Sequence, residues 1–397
     1  MTYLNSLRCT MCGKEFDPSP LNYLCDKCAQ DYRPGMPLKG ILEAVFDYDG
    51  IKSGWMEYLS AFPNAGAQQQ MEKLCELFCP LEKEYFPPLP VGYTPLIECA
   101  NFAAETLYLK FDGVNPSGSF KDRASFLMVA EANRLGIREI VAASTGNAAS
   151  SLAAICAAAG LQAVIFTPAA APEAKLVQIR IHGAELHRVD GTYDDAFAAA
   201  LDYAANHECL NRNTAYHPYT IEGKKTAGLE LYIQMKGVPD YIFIPTGDGV
   251  ILSGIHKAFT DLMQAEIIRK LPRLVAVQAE SSDAISSYLE NGYYRDAASP
   301  KTVADSISVK TPSAAHLAYR ALKESSGFVR RVSDNEILAA QRLLAERSGI
   351  FCEPSSAATL AAYYQAKEQA LLEEGARTVL MLTGHGLKDI RAVKFDA

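Results

Sequence analysis

The chain is predicted to be an α/β protein built on largely parallel sheet, with a small metal-stapled segment at its N-terminus. Three observations lead there. From about residue 104, short apolar runs alternate with amphipathic helical runs, the pattern of strand, loop and helix repeated. Glycine-rich loops follow several of the apolar runs, and four cysteines cluster as two Cys-x2-Cys pairs near the start. At 397 residues, 49% hydrophobic and 21% charged, the chain can bury a sizeable core in two or three structural units.

The first element is the cysteine segment, residues 1–35. Cys9 and Cys12 are separated from Cys25 and Cys28 by twelve residues, which is the spacing of an all-cysteine zinc ribbon. Four protein ligands leave no open position for water, so the implied role is structural. Gly13 supplies the tight turn after the first pair. The alternative is four free buried thiols. The other six cysteines are expected as small core residues. Cys75 and Cys79, four apart in MEKLCELF, could share a ligand, although burial is the commoner outcome.

Residues 29–90 read as an irregular extension, broken at GMPLKG and PPLP, with one helical stretch, AGAQQQMEKLCELF. Beyond it the apolar runs TLYLKF, EIVAAS, AVIFT, AELHRV, YIFIP, LVAVQA and TVLML are the expected strands. Between them AASSLAAICAAAG, PEAKLVQIRIHG and TYDDAFAAALDYAA are expected helices. Ser333 and Glu336 form a capping box ahead of ILAAQRLLAERSG.

Charge and hydropathy exclude some classes. A net charge of −8 without a Lys/Arg block argues against a nucleic-acid partner. No apolar run approaches the roughly 20 residues that span a bilayer, and MTYLNSLRCTMC lacks the regions of a signal peptide. The expected location is the cytoplasm, with no membrane partner.

In parallel sheets, chemistry collects in loops past the strand C-terminal ends. Four such loops are unusual. NPSGSFKDRASF (115–126) places the Lys121 amine between a small-residue turn and a helix. STGNAAS (144–150) sets Ser144, Thr145, Gly146 and Asn147 at a strand-to-helix turn that suits a carboxylate, or simply caps a helix. PTGDGVILSG (245–254) can bring N–H groups from Gly247, Asp248, Gly249, Val250 and Ile251 to a phosphate, though a lone Gly-x-Gly also marks ordinary turns. LTGHGLKD (382–389) offers the Thr383 hydroxyl. An amine, an anion turn, a phosphate cradle and a hydroxyl together answer to pyridoxal phosphate.

SGSFKDRA, STGNAASSLAA, GDGVILSGIHKAF, GIFCEPSSAATLAA and LTGHGLKD resemble, in order, motifs of the tryptophan-synthase-β-like (fold type II) pyridoxal-phosphate enzymes. Within them the chain is most similar to the threonine synthases, including members with a zinc-ribbon-like N-terminus; HPYTIEGKKTAGLEL adds to this likeness. The resemblance runs from about residue 85 to 390. It implies two open, largely parallel sheets with the cofactor between them, a structural zinc ion, and a homodimer. The expected division is 1–35 as ribbon, 36–125 with 225–397 as the large cofactor domain, and 126–224 as the small domain. It implies that Lys121 bonds the cofactor covalently and that Asn147 meets its phenolic oxygen. Ser144, Thr145 and Gly146, with Asn147, would hold the substrate carboxylate. Gly247 to Ile251 would hold the cofactor phosphate, and Thr383 would face the pyridine nitrogen. The implied substrate is a small phosphorylated amino acid, O-phospho-L-homoserine, giving L-threonine and phosphate.

The chain departs from the family pattern at Asp248, where Asn is usual. A carboxylate there is expected to turn away from a phosphate or to meet a cation. Arg123, Lys224 and Lys225 are candidates for the substrate phosphate. The rival readings are a cysteate synthase using O-phosphoserine and sulfite, a serine/threonine ammonia-lyase, and a non-catalytic metabolite binder. His385 is expected as a turn or packing residue and Trp55 in the core. Glu353 either caps the following helix or lies near the cofactor.

Overall fold

The computed structural model describes residues 2–19, 21–33, 35–102, 105–171 and 173–392. Its residues cluster into two units, Met1–Gly92 with Lys121–Thr226, and Tyr93–Phe120 with Ala227–Ala397. The sequence-based division grouped 36–92 with the C-terminal residues instead. In the structure, strand Leu42–Phe46 pairs with Leu4–Cys9, and Lys225 lies over the rings of Phe46 and Phe78.

In the first unit a three-stranded antiparallel sheet has the order Glu15–Phe16, Leu4–Cys9, Leu42–Phe46. Helices Tyr48–Ala61 and Ala67–Leu77 follow. The 29–90 region therefore holds a strand and a second helix beyond the one expected. The helix begins at Asp47, whose side chain accepts from Gly50 N–H at 3.0 Å. The strand escaped notice because its partner lies more than thirty residues away, and short strands carry little local signal. Trp55 is buried on this helix and stacks on Tyr58, as expected.

The same unit carries a parallel sheet ordered Glu185–Val189, Gln162–Pro168, Glu139–Ala143, Leu210–Asn211. Val141, Val164 and Phe166 pack with Ala196, Phe197 and Ala200 of helix Tyr193–Asn206 to form its core. Helices Lys121–Leu135 and Asn147–Ala159 also belong here. The alanine-rich run Asn147–Ala159 favours helix intrinsically and ends at Gly160, which adopts the left-handed conformation.

The second unit is a six-stranded sheet ordered Phe328–Val332, Arg273–Ala279, Tyr241–Pro245, Thr378–Leu382, Glu105–Phe111, Leu96–Phe102. All pairs are parallel except the last. The two central strands, Tyr241–Pro245 and Thr378–Leu382, are buried throughout. That explains why they read as unbroken apolar runs rather than alternating ones. Phe243, Val275, Val277, Leu380 and Tyr363 fill the core. Helix Asp334–Ser348 starts at the expected capping box, with Glu336 N–H donating to Ser333 Oγ and Ser333 N–H donating to the Glu336 carboxylate. Among the described residues no helix is long and apolar enough to cross a membrane.

Candidate functional site

The loop before Lys121 is built from below. Strand Glu105–Phe111 ends in a turn at Asp112, whose carboxylate accepts from Thr94 Oγ1 at 2.6 Å and from Asn115 Nδ2 at 3.3 Å. Asn115 O then accepts from Gly118 N–H at 2.7 Å. Gly118 has φ +78°, and a side chain there would meet Lys388, so only glycine suits the turn. Lys388 Nζ donates to Ser117 O at 2.7 Å.

This loop is zipped to the Thr383 loop. Ser119 bridges Gly384 in antiparallel fashion. Phe120 N–H donates to Thr383 O at 2.8 Å, and His385 N–H donates to Gly118 O at 2.9 Å. Two motifs more than 250 residues apart in the sequence thus share one piece of backbone pairing. Lys121, the next residue after Phe120, is half-buried and opens helix Lys121–Leu135.

Thr383 is buried, with Oγ1 3.4 Å from Ser356 Oγ. Ser356 Oγ accepts from Gly384 N–H at 3.0 Å. Glu353 makes no side-chain cap on helix Pro354–Glu368, so the capping expectation fails. Its carboxylate instead sits on Gly384, where an added Cβ would lie 1.9 Å from Oε2. His385 Nδ1 accepts from Leu387 N–H at 3.2 Å and its ring lies near Phe111, a turn and packing role as expected.

The Gly247–Ile251 turn opens helix Val250–Gln264, with Gly249 at φ +85°. A Cβ on Gly247 would lie 3.0 Å from Ile307 Cα and Val309 Cγ2, so the loop is wedged against that segment. The first-turn N–H groups of a helix lack intrahelical acceptors and favour an anion. Asp248 meets this end itself, its Oδ1 accepting from Val250 N–H at 3.0 Å. The carboxylate is folded onto its own helix and engages one of the amides considered for phosphate, an arrangement other than the expected turning-away or cation contact.

In the first unit, Ser144 follows strand Glu139–Ala143, and its N–H donates to Phe166 O at 3.1 Å. Ser144 Oγ accepts from Gly146 N–H at 3.2 Å. Gly146 O receives the N–H groups of Ala149 and Ser150, each at 3.1 Å. Ser144, Thr145, Gly146 and Asn147 stay half-buried while Ala149 onward is buried. The space where a Gly146 side chain would stand is open. The turn therefore presents a hydroxyl and a helix N-terminus without obstruction.

Of the proposed phosphate cations, Arg123 is buried with Nη1 donating to Thr226 Oγ1 at 2.8 Å. Lys225 is buried in an ion pair with Glu222, and Lys224 is buried beside it. A lysine buried against a carboxylate and two phenyl rings is a fixture of the fold, which places Lys225 in structure rather than at a ligand.

Residues missed from sequence are Lys110, Glu230, Ser356 and Asn213. Lys110 Nζ donates to Glu230 Oε2 at 2.6 Å, Thr94 O at 2.7 Å and Gln234 Oε1 at 2.9 Å. A lysine inside the apolar run TLYLKF was the available signal. Asn213 Oδ1 accepts from Ala143 N–H at 2.7 Å, and nothing in the sequence marks it.

The four clustered cysteines converge. All four Sγ atoms lie within 4.8 Å of one another, and Cys12 and Cys25 sulfurs are 3.7 Å apart. An ion with arms of about 2.3 Å to four sulfurs spaces them about 3.8 Å apart, so the set fits a tetrahedral metal. The backbone of Lys14 donates to Cys12 and brings its thiol down to about 7. Gly13 takes φ +74° in the first turn. Lys14 and Asp26 link the two turns through an ion pair at 2.8 Å. Cys75 and Cys79 do not join a ligand cluster among the described residues; helix Ala67–Leu77 ends before Cys79.

A family model described as pyridoxal-phosphate dependent enzyme matches residues 88–384. The chain is 33% identical to a threonine synthase of Methanocaldococcus jannaschii, over 96% of this chain and 92% of that protein. It is 34% identical to a threonine synthase of Methanosarcina acetivorans, over 98% and 93%. One from a Bacillus species is 36% identical over 78% and 90%. Among solved structures, maize serine racemase superposes with a TM-score of 0.65 at 23% identity, covering 74% of this chain and 88% of that one. The processed threonine deaminase isoform 2 of Solanum lycopersicum gives a TM-score of 0.65 at 18% identity over 93% of each chain. These structures carry the fold type II architecture, and the sequence matches carry the family. The chain belongs to the pyridoxal-phosphate dependent enzymes and, within them, to the threonine synthase family.

Proposed function

We propose that this enzyme converts O-phospho-L-homoserine and water to L-threonine and phosphate, with Lys121 as its catalytic residue. The observation that supports this most is the pairing of the Lys121 loop with the Thr383 loop through Phe120 N–H to Thr383 O at 2.8 Å. It joins, through backbone, an amine and a buried hydroxyl that the cofactor reading requires independently. The donor set fits pyridoxal phosphate. Lys121 supplies the primary amine, the Gly247–Ile251 turn a helix N-terminus for phosphate, and Thr383 a hydroxyl for the ring nitrogen.

When bound, pyridoxal phosphate supplies the electron sink that makes protons at Cα and Cβ removable. The rest falls to the chain. The Ser144–Gly146 turn holds the substrate carboxylate on the Ser144 and Thr145 hydroxyls at the helix N-terminus, with Asn147 beside the cofactor's phenolic oxygen. The Lys121 amine takes protons from Cα and Cβ and delivers protons to Cγ and back to Cα, work suited to one positioned base. Phosphate leaves from Cγ and a water oxygen is added at Cβ. Asp248, bonded to Val250 N–H, would have to give up that amide when the phosphate occupies the turn. The cysteine cluster holds structural zinc, and the enzyme works as a cytoplasmic homodimer, both in line with the family resemblance.

The test follows phosphate release from phosphohomoserine and from phosphoserine, each with and without sulfite. Release from phosphohomoserine with threonine formed supports the assignment; release from phosphoserine alone overturns it. Hydride trapping followed by mass spectrometry should place the cofactor adduct on Lys121.

A further inference from the structure

We propose that the four-cysteine segment is a positioning element for the Ser144–Asn147 turn, and that Tyr23 is the residue through which it acts. The link lies wholly within the first unit and runs through named contacts. Cys25 is fully buried, and its N–H donates to Gly40 O at 2.8 Å. Leu24 bridges Ile41. These bonds fix the backbone just after Tyr23. Tyr23 Oη accepts from Asn211 N–H at 2.8 Å. Its ring meets Tyr216 at 5.4 Å and the edge of His217 at 5.5 Å.

Asn211 belongs to the two-residue edge strand Leu210–Asn211, which pairs with Ile140 and Val141. So short an edge strand holds few ladder bonds of its own. The Tyr23 hydroxyl takes an N–H that no neighbouring strand covers. From Asn211 the contacts continue into the turn. Asn211 Oδ1 accepts from Asn213 N–H at 2.8 Å. Asn213 Oδ1 accepts from Ala143 N–H at 2.7 Å, and Arg212 N–H donates to Val141 O at 2.9 Å. Ala143 is the residue before Ser144. The start of the anion turn is thus held by a short relay whose far end is clamped by the cysteine segment.

A metal ion at the four thiols would stiffen that clamp, which gives the segment a purpose beyond its own folding. The inference rests on the proposed role of Ser144–Asn147 in holding the substrate carboxylate, and its test separates the two. Tyr23→Phe and Tyr23→Ala would be made in the full-length holoenzyme. Bound metal, cofactor absorbance, amide hydrogen exchange and steady-state kinetics with phosphohomoserine would be measured. Tyr23→Phe should keep metal and cofactor while exchange at residues 143–149 rises about tenfold. KM should rise about fivefold, with kcat within about twofold. Tyr23→Ala should exaggerate both. Chelation of the unaltered protein should reproduce the exchange change and add nothing further in Tyr23→Ala. Unchanged exchange at 143–149 in Tyr23→Phe overturns the link, even if Tyr23→Ala fails to fold. Raised exchange with unaltered KM leaves the link standing and removes the carboxylate role of the turn.

Discussion

The cysteine segment and the strand-end loops solve the same problem by opposite means. Both must hold polar groups in a fixed array. In the N-terminal segment the four thiols sit within twenty residues of one another, the strands are short, and the thiols converge as a candidate ligand set. In the loops the proposed site residues are spread from Lys121 to Thr383, and within each unit their frame is a largely buried parallel sheet. The strands Tyr241–Pro245 and Thr378–Leu382 expose none of their residues. One array is a ligand set able to hold an ion; the other depends on hydrophobic burial and backbone pairing. The difference teaches that removing a metal from the cysteines should unmake the first and leave the buried sheets of the second standing, with only the Ser144 turn loosened.

The strongest expected effect separates chemistry from framework. Lys121→Ala should lower phosphate release by about three orders of magnitude or more, with little change in melting temperature, because Lys121 is only half-buried at a helix start. A variant keeping a tenth of the turnover would break the assignment.

Metal removal should act the other way. Structural zinc contributes about 10–16 kcal/mol to the folding of finger peptides. Chelation should therefore melt the pairing of Leu4–Cys9 with Leu42–Phe46. The parallel sheets should persist. Hydrogen exchange resolved along the chain reads both, and loss of protection in Thr378–Leu382 would erase the contrast.

A third experiment probes the rigidity of the loops. Gly384→Ala places a Cβ 1.9 Å from Glu353 Oε2, which overpacks a buried spot and should cost about 1–3 kcal/mol in denaturant unfolding. Adding Glu353→Ala should recover part of that loss, a non-additivity expected of touching residues. Simple additivity would mean the carboxylate does not brace the turn.

The smallest effect, read per pH unit, tests the ring that packs against Tyr23. Burial, helped by the charge of Arg134, brings His217 down to about 3. It is neutral in the folded chain, whereas in the unfolded chain it takes up a proton below about pH 6.5. The unfolded state therefore binds the extra proton between those values. Stability should fall as pH drops through that window, by at most about 1.4 kcal/mol per pH unit from this group. His217→Asn should flatten the slope by that amount in denaturant titrations at several pH values. An unchanged slope would mean the ring is reached by water.

Much of this was legible in the sequence because it rests on short-range chemistry. The two Cys-x2-Cys pairs announce a metal site since each turn carries its own two ligands. The parallel strands show as continuous apolar runs, and the Ser333–Glu336 capping box marks a helix start within four residues. Strands Leu42–Phe46, Leu96–Phe102 and Leu210–Asn211 were not legible, because their identity comes from distant pairing partners. The same holds for side chains. Lys225 reads as a candidate for the substrate phosphate, yet Glu222, Phe46 and Phe78 claim it. Glu353 reads as a helix cap, yet it rests on Gly384. Asp248 reads as a charge in a phosphate loop, yet it bonds to Val250 N–H.

What the sequence by itself determined was the vocabulary: α/β fold, pyridoxal-phosphate family, four thiols in register for an ion, and loops able to bind anions. Local spacing and hydrophobic period suffice for that, since turns, caps and strand faces depend on neighbours a few residues away. Only the tertiary structure decided which loops pair, which charges are consumed within the fold, and how Tyr23 connects the cysteine segment to the Ser144 turn. Those outcomes depend on contacts between residues far apart in the chain, where burial and hydrogen-bond satisfaction, rather than local propensity, select the partner.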